Sequence, residues 1–111
     1  MNIPESVRIA GVEYRIVDVE YLTQDGKELM GQIDYTATEI RLSKAIGMSH
    51  DAKCLTLMHE IAHGIVNNAM LTLDNEEDVV EAFARGMYQL IQDNGHRLFG
   101  KGEQFGKEKD A

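Results

Sequence analysis

Apolar and polar residues follow two different rhythms along this chain, and the change falls near its middle. The first half has the short period of strands. Val7 to Ala10 is a brief apolar run, and Gly11 marks a turn. From Glu13 to Glu20 residues alternate, with Tyr14, Ile16 and Asp18 on one face and Arg15, Val17 and Val19 on the other. That period of two predicts a strand. Gln24-Asp25-Gly26-Lys27 is a turn signal. Gly31 to Tyr35 and Glu39 to Leu42, joined by Thr36-Ala37-Thr38, predict a hairpin.

The second half has the helical period. Ser49 is the expected N-cap, with Asp51 in a first turn where the helix dipole favours a negative charge. Leu55, Met58, Ala62, Ile65, Val66 and Ala69 then form an apolar stripe. The pattern breaks between Leu71 and Asn75. Asp74 or Asn75 can cap a second helix, with a stripe of Val79, Val80, Phe83, Met87, Leu90 and Ile91. Asn94-Gly95 is the expected stop, because glycine accepts the left-handed conformation at a helix end. The charged KGEQFGKEKDA that follows, residues 101–111, reads as a flexible tail. The prediction is one α+β domain over residues 1–100, a small antiparallel or mixed sheet followed by two packed helices.

Charge and cysteine usage narrow the classes. Eleven basic against nineteen acidic residues give a net charge of −8. Sequence-independent nucleic-acid binding draws its affinity from Lys and Arg on phosphates, and anionic membranes attract the same residues. Neither partner is expected. Cys54 is the only cysteine, so no internal disulfide can form and a reducing cytoplasm suits the chain. The opening MNIPESVRIAG lacks a basic patch followed by an apolar core, and no run approaches the length of a membrane span. A soluble cytoplasmic protein is the expectation.

His59-Glu60-Ile61-Ala62-His63 carries the chemistry. Residues four apart on a helix share a face, so both imidazoles can reach one metal ion. Glu60 projects about 100° from His59, so it need not ligate and can act on a water beside the metal. Both histidines fall on the edge of the apolar stripe, as the wall of a cleft requires. Catalytic zinc commonly takes three protein ligands and leaves one position open. The extended pattern that ends in a third histidine fails, since Val66 stands where glycine is wanted and Ala69 where histidine is wanted. The second helix offers Glu76, Glu77, Asp78 and Glu81 in its first two turns. Glu77 and Glu81 share a ridge with Ala84 and Tyr88, Asp78 points away, and Glu76 faces the stripe at a frayed start. The plainer explanation of these acids is that they suit a helix N-terminus.

Four segments carry a family resemblance: GQIDY from Gly31, the following EIRLS, LMHEIAHGI from Leu57, and EDVVEAFARGMYQLIQDN from Glu77. Over Gly31 to Asn94 the chain resembles the ImmA/IrrE-type zinc metallopeptidases, especially short versions from phages and mobile elements. The resemblance implies a zincin-like core with one Zn²⁺ per chain. It places Glu77 as the third ligand, aligned through Phe83-Ala84 on the pattern E-x-x-A-[D/N]-x-[F/L]-A. Val80 replaces the alanine there and Glu81 the Asp/Asn, so Glu81 is the alternative ligand or a support for a ligand histidine. The implied activity is hydrolysis of a protein or peptide substrate, such as a regulatory or repressor protein, with Glu60 as the catalytic base. Tyr35, Tyr88 and His96 are candidate oxyanion stabilisers, with packing or an exposed loop as the plainer role for each. The Gly31 to Leu42 hairpin offers an edge strand for an extended peptide. The competing function is a non-catalytic binding module of the same fold that retains zinc. His50 is expected at the surface and Cys54 in the core.

Overall fold

The computed structural model describes residues 1–100. The expected tail at 101–111 lies outside the described residues.

The α+β order is as predicted: a small mixed sheet, then two packed helices. Strand β1 (Ser6–Ile9) pairs antiparallel with β2 (Val12–Val19). Strands β5 (Gly31–Asp34) and β6 (Glu39–Ser43) form the predicted hairpin. Asp34 secures its turn, since Oδ1 accepts from the amides of Thr36 and Ala37 at 3.0 and 2.9 Å. The strand order is β1-β2-β6-β5, with β2 and β6 parallel, so β5 is an edge. Between β2 and β5 the chain makes a second, two-stranded ribbon, β3 (Thr23–Gln24) and β4 (Lys27–Glu28). Its turn falls at the predicted Gln24-Asp25-Gly26-Lys27. Asp25 and Gly26 both take positive φ, 54° and 79°, the pairing that a two-residue primed turn requires.

Alternation along β6 separates two environments. Ile40 and Leu42 are fully buried with Leu57, Ile9 and Tyr14 in the core, while Arg41 on the other face binds Gln32, Asp34 and Glu39. Asp18, the polar interruption in the alternation of β2, pairs with Lys53 at 3.1 Å.

Helix α1 (His50–Asn68) begins where predicted, with the Ser49 hydroxyl accepting from the amide of Ala52 at 3.1 Å. It lies across β1, β5 and β6 on one side and against α2 (Glu76–Phe99) on the other. Two glycines permit that close seating. A Cβ on Gly31 would stand 2.5 Å from Cγ2 of Thr56 and 3.3 Å from Oε2 of Glu60. One on Gly64 would stand 3.0 Å from Cδ1 of Ile9. The edge strand and the His-Glu helix therefore touch where the motif lies.

Three expectations need correction. α1 is covered on two sides, so its buried positions are Cys54, Thr56, Leu57, Glu60, Ala62 and Gly64, while Ile65 and Ala69 of the expected stripe are exposed. α2 buries Val80, Ala84 and Tyr88, whereas Val79, Phe83 and Leu90 are exposed. α2 also runs through Asn94-Gly95 to Phe99. Gly95 is buried inside it, and Gly100, with φ 84°, terminates it. Glycine permits a stop without compelling one. Asn75 is the N-cap by position but makes no side-chain capping bond.

Candidate metal centre

One turn of α1 and the first two turns of α2 build the site. His59 and His63 project from α1 toward α2, both half-buried. Their Nε2 atoms stand 3.2 Å apart. Glu77 reaches between them, with Oε1 at 3.1 Å from Nε2 of His59 and Oε2 at 2.9 Å from Nε2 of His63. These three side chains could hold a metal ion, each offering one ligand atom, all within 4.8 Å of one another.

The remaining ring nitrogens explain why the Nε2 atoms converge. Nδ1 of His59 lies 2.8 Å from Oε1 of Glu81, and Nδ1 of His63 lies 2.7 Å from Oε2 of Glu76. A carboxylate there accepts a hydrogen bond from Nδ1–H, which leaves the Nε2 lone pair turned toward Glu77. Arg85, one turn beyond Glu81, donates from Nε to Oε2 of Glu81 at 2.5 Å. Burial pulls the Glu81 carboxyl upward, but the bonds from His59 and Arg85 outweigh it and hold the group below its ordinary value.

Glu60 points elsewhere. It is 8% exposed, wedged against Gly31 of the edge strand, and makes none of the close contacts within the His59–His63–Glu77 group. Burial pushes its carboxyl above the usual glutamate range, against the pull of His59, His63 and the Ile33 amide. A carboxylate in dry surroundings beside a cation site suits a general base.

Around these groups lies a cleft of ≈ 660 Å³, within the range of small-molecule sites. Its floor is α1, from Ala52 to His63, and one wall is the edge strand β5 with Gly31, Gln32 and Ile33. Gln24 and Glu28 of the β3–β4 ribbon close one end, and Glu77, Glu81 and Arg85 of α2 close the other. Tyr35 also lines it, edge-on to Tyr14 with ring centroids 6.5 Å apart. Burial raises the Tyr35 phenol to about 12, so it keeps its proton at neutral pH and remains a donor.

The structure thus brings together His59, Glu60, His63, Glu77, Glu81 and Tyr35. Tyr88 and His96 lie outside the cleft. The Tyr88 hydroxyl donates to Asp51 at 2.8 Å between the helices, and His96 is exposed in the last turns of α2. Cys54 is buried and His50 is exposed, as expected, with Nε2 of His50 donating to the Met1 carbonyl at 2.8 Å. Two contributors escaped the sequence reading. Arg85 carried no signal beyond its i+4 spacing from Glu81. Glu76 sits at the helix start beside Glu77, and that adjacency is the usable hint that neighbouring carboxylates can serve different histidines.

No family model, curated protein or solved structure matches the chain.

Proposed function

We propose that the chain is a zinc-dependent peptidase, with His59, His63 and Glu77 holding one zinc ion and Glu60 acting as general base. The observation that carries this reading is the convergence of both Nε2 atoms on the Glu77 carboxylate. Tetrahedral zinc with ligands at roughly 2.0 Å needs ligand atoms about 3.3 Å apart. Here the two Nε2 atoms stand 3.2 Å apart, and each lies beside one oxygen of the Glu77 carboxylate, His59 at 3.1 Å from Oε1 and His63 at 2.9 Å from Oε2. Two imidazoles and one carboxylate also make a donor set suited to catalytic zinc, with a fourth position left open.

When bound, zinc supplies Lewis acidity, lowering the pKa of water and polarising a carbonyl. The chain's own residues supply the rest. Glu60 takes the proton of the attacking water and passes it to the leaving amine. Its raised affinity for a proton supports that exchange. The Tyr35 hydroxyl is a donor for charge developing on the carbonyl oxygen. Along β5, the edge of the sheet, an extended peptide can add as a further strand and bring its backbone to the motif. That geometry supports a protein or peptide substrate. The resemblance of LMHEIAHGI and EDVVEAFARGMYQLIQDN supports a regulatory protein of a phage or mobile element as the target, in the cytoplasm.

Glu60→Gln tests the proposal. Peptide hydrolysis should fall by about 10²–10⁴-fold while zinc retention is unchanged, because the side chain is a base and not a ligand. Hydrolysis that survives the substitution contradicts the mechanism. A wild-type chain that retains zinc and cleaves no peptide would mark a metal-stabilised binding module.

A further inference from the structure

The outward face of α2 carries an apolar seam that the described residues leave uncovered, and it is independent of the peptidase reading. Val79, Phe83 and Leu90 are 41%, 56% and 43% exposed. With Gly86 they occupy positions spaced four, three and four residues apart, the spacing of a helix–helix seam. At about 100° per residue these four positions share one side of the helix, while Glu77, Glu81 and Arg85 of the cleft lie on the other.

Gly86 is the telling residue. It sits in the middle of a 24-residue helix, where glycine is less stable than alanine. Its φ is not positive, and a Cβ there would meet nothing within 4 Å. Nothing among the described residues uses the missing side chain. Close approach of another helix would.

The ends of the helix identify that other helix. The first turn of α2 is acidic and its last turn basic. Asp78 and Arg97 are both exposed, and neither forms an ion pair among the described residues. We propose that two copies of this chain pack through this face, α2 against α2, antiparallel about a two-fold axis between Gly86 and Leu90. In that register Leu90 of each copy covers Gly86 of the other. Val79 falls opposite the aliphatic stem of Arg97, whose guanidinium reaches Asp78. Each contact occurs twice, as a two-fold interface demands. Opposed helix dipoles favour the same direction. The metal clefts face away from the seam and stay open.

Sedimentation of the full chain across micromolar concentrations tests the proposal. The expected mass is twice the 12.5 kDa of one chain. Phe83→Glu, Leu90→Glu and Gly86→Leu should each weaken dimerisation at least tenfold, with helical content and metal retention unchanged. Asp78→Arg should weaken it and the double variant with Arg97→Asp should restore it, a rescue that nonspecific stickiness would not show. A chain that stays monomeric throughout overturns the proposal, as does a dimer indifferent to these substitutions. A monomer that dimerises only after removal of residues 101–111 also overturns it, because that segment would then be what covers the seam.

Discussion

His59 and His63 face Glu77 through the same ring nitrogen because their other nitrogens are held by Glu81 and Glu76. Three glutamates of one helix start thus take different parts. Glu77 meets both imidazoles, and its neighbours orient one each. Carboxylates that orient ligand histidines typically change metal affinity by about 10–100-fold when removed. Glu76→Ala and Glu81→Ala should each weaken zinc binding within that range, and Glu77→Ala should weaken it further. Competition with a chromophoric chelator measures all three, and equal affinities for all the variants would contradict this division of parts. The histidines and Glu60 were legible because four-residue spacing on a helix is local geometry. Glu77 emerged from the resemblance and the ridge it shares with Glu81. The part taken by Glu76 was not legible. It depends on where the turn after α1 sets down the first residue of α2, a relation no short window of sequence contains.

At the scale of elements, α1 is the layer on which the others rest. One flank meets β1, β5 and β6 and the other meets α2, so a single apolar stripe describes it poorly. Its caps were legible, since Ser49 satisfies a first-turn amide by local chemistry. The face of α2 was not. Apolar residues lie on both sides of that helix, and periodicity alone does not tell which side meets α1. The structure buries Val80, Ala84 and Tyr88. Tyr88 ties the two helices by donating to Asp51 at 2.8 Å. Burial and that bond raise its phenol from 10.0 to about 12. The folded state then holds the proton more tightly than the unfolded chain. Its stabilising effect is complete below about pH 10 and declines as pH rises toward 12. Tyr88→Phe should cost about 1 kcal/mol at pH 8 and flatten the alkaline loss of stability. Tyr35, also raised to about 12, would leave part of that slope in place. Urea midpoints at pH 8 and pH 11 decide the matter, and an unaltered slope would contradict the pairing.

Across the whole molecule the layers run sheet, α1, α2, with the cleft opening where the edge strand and both helices meet. The α+β class was legible from the change of rhythm near the middle of the chain. The parallel pairing of β2 with β6 was not, because the ribbon and β5 intervene between them in sequence. No helix of the described residues is long and apolar enough to cross a membrane. Glu60, Glu76, Glu77 and Glu81 gather around two imidazoles in a chain of net charge −8, so a cation bound there would relieve repulsion as well as meet its ligands. Ligand binding to the folded state alone adds about 4 kcal/mol of stability at a thousandfold excess over Kd. A gain of that size is substantial for so short a chain.

Elemental analysis of the full chain, purified at neutral pH without chelator, reads out whether His59, His63 and Glu77 hold a metal. About one zinc per chain is expected. Protein that is folded yet holds no metal, and takes up none when zinc is supplied, would contradict it.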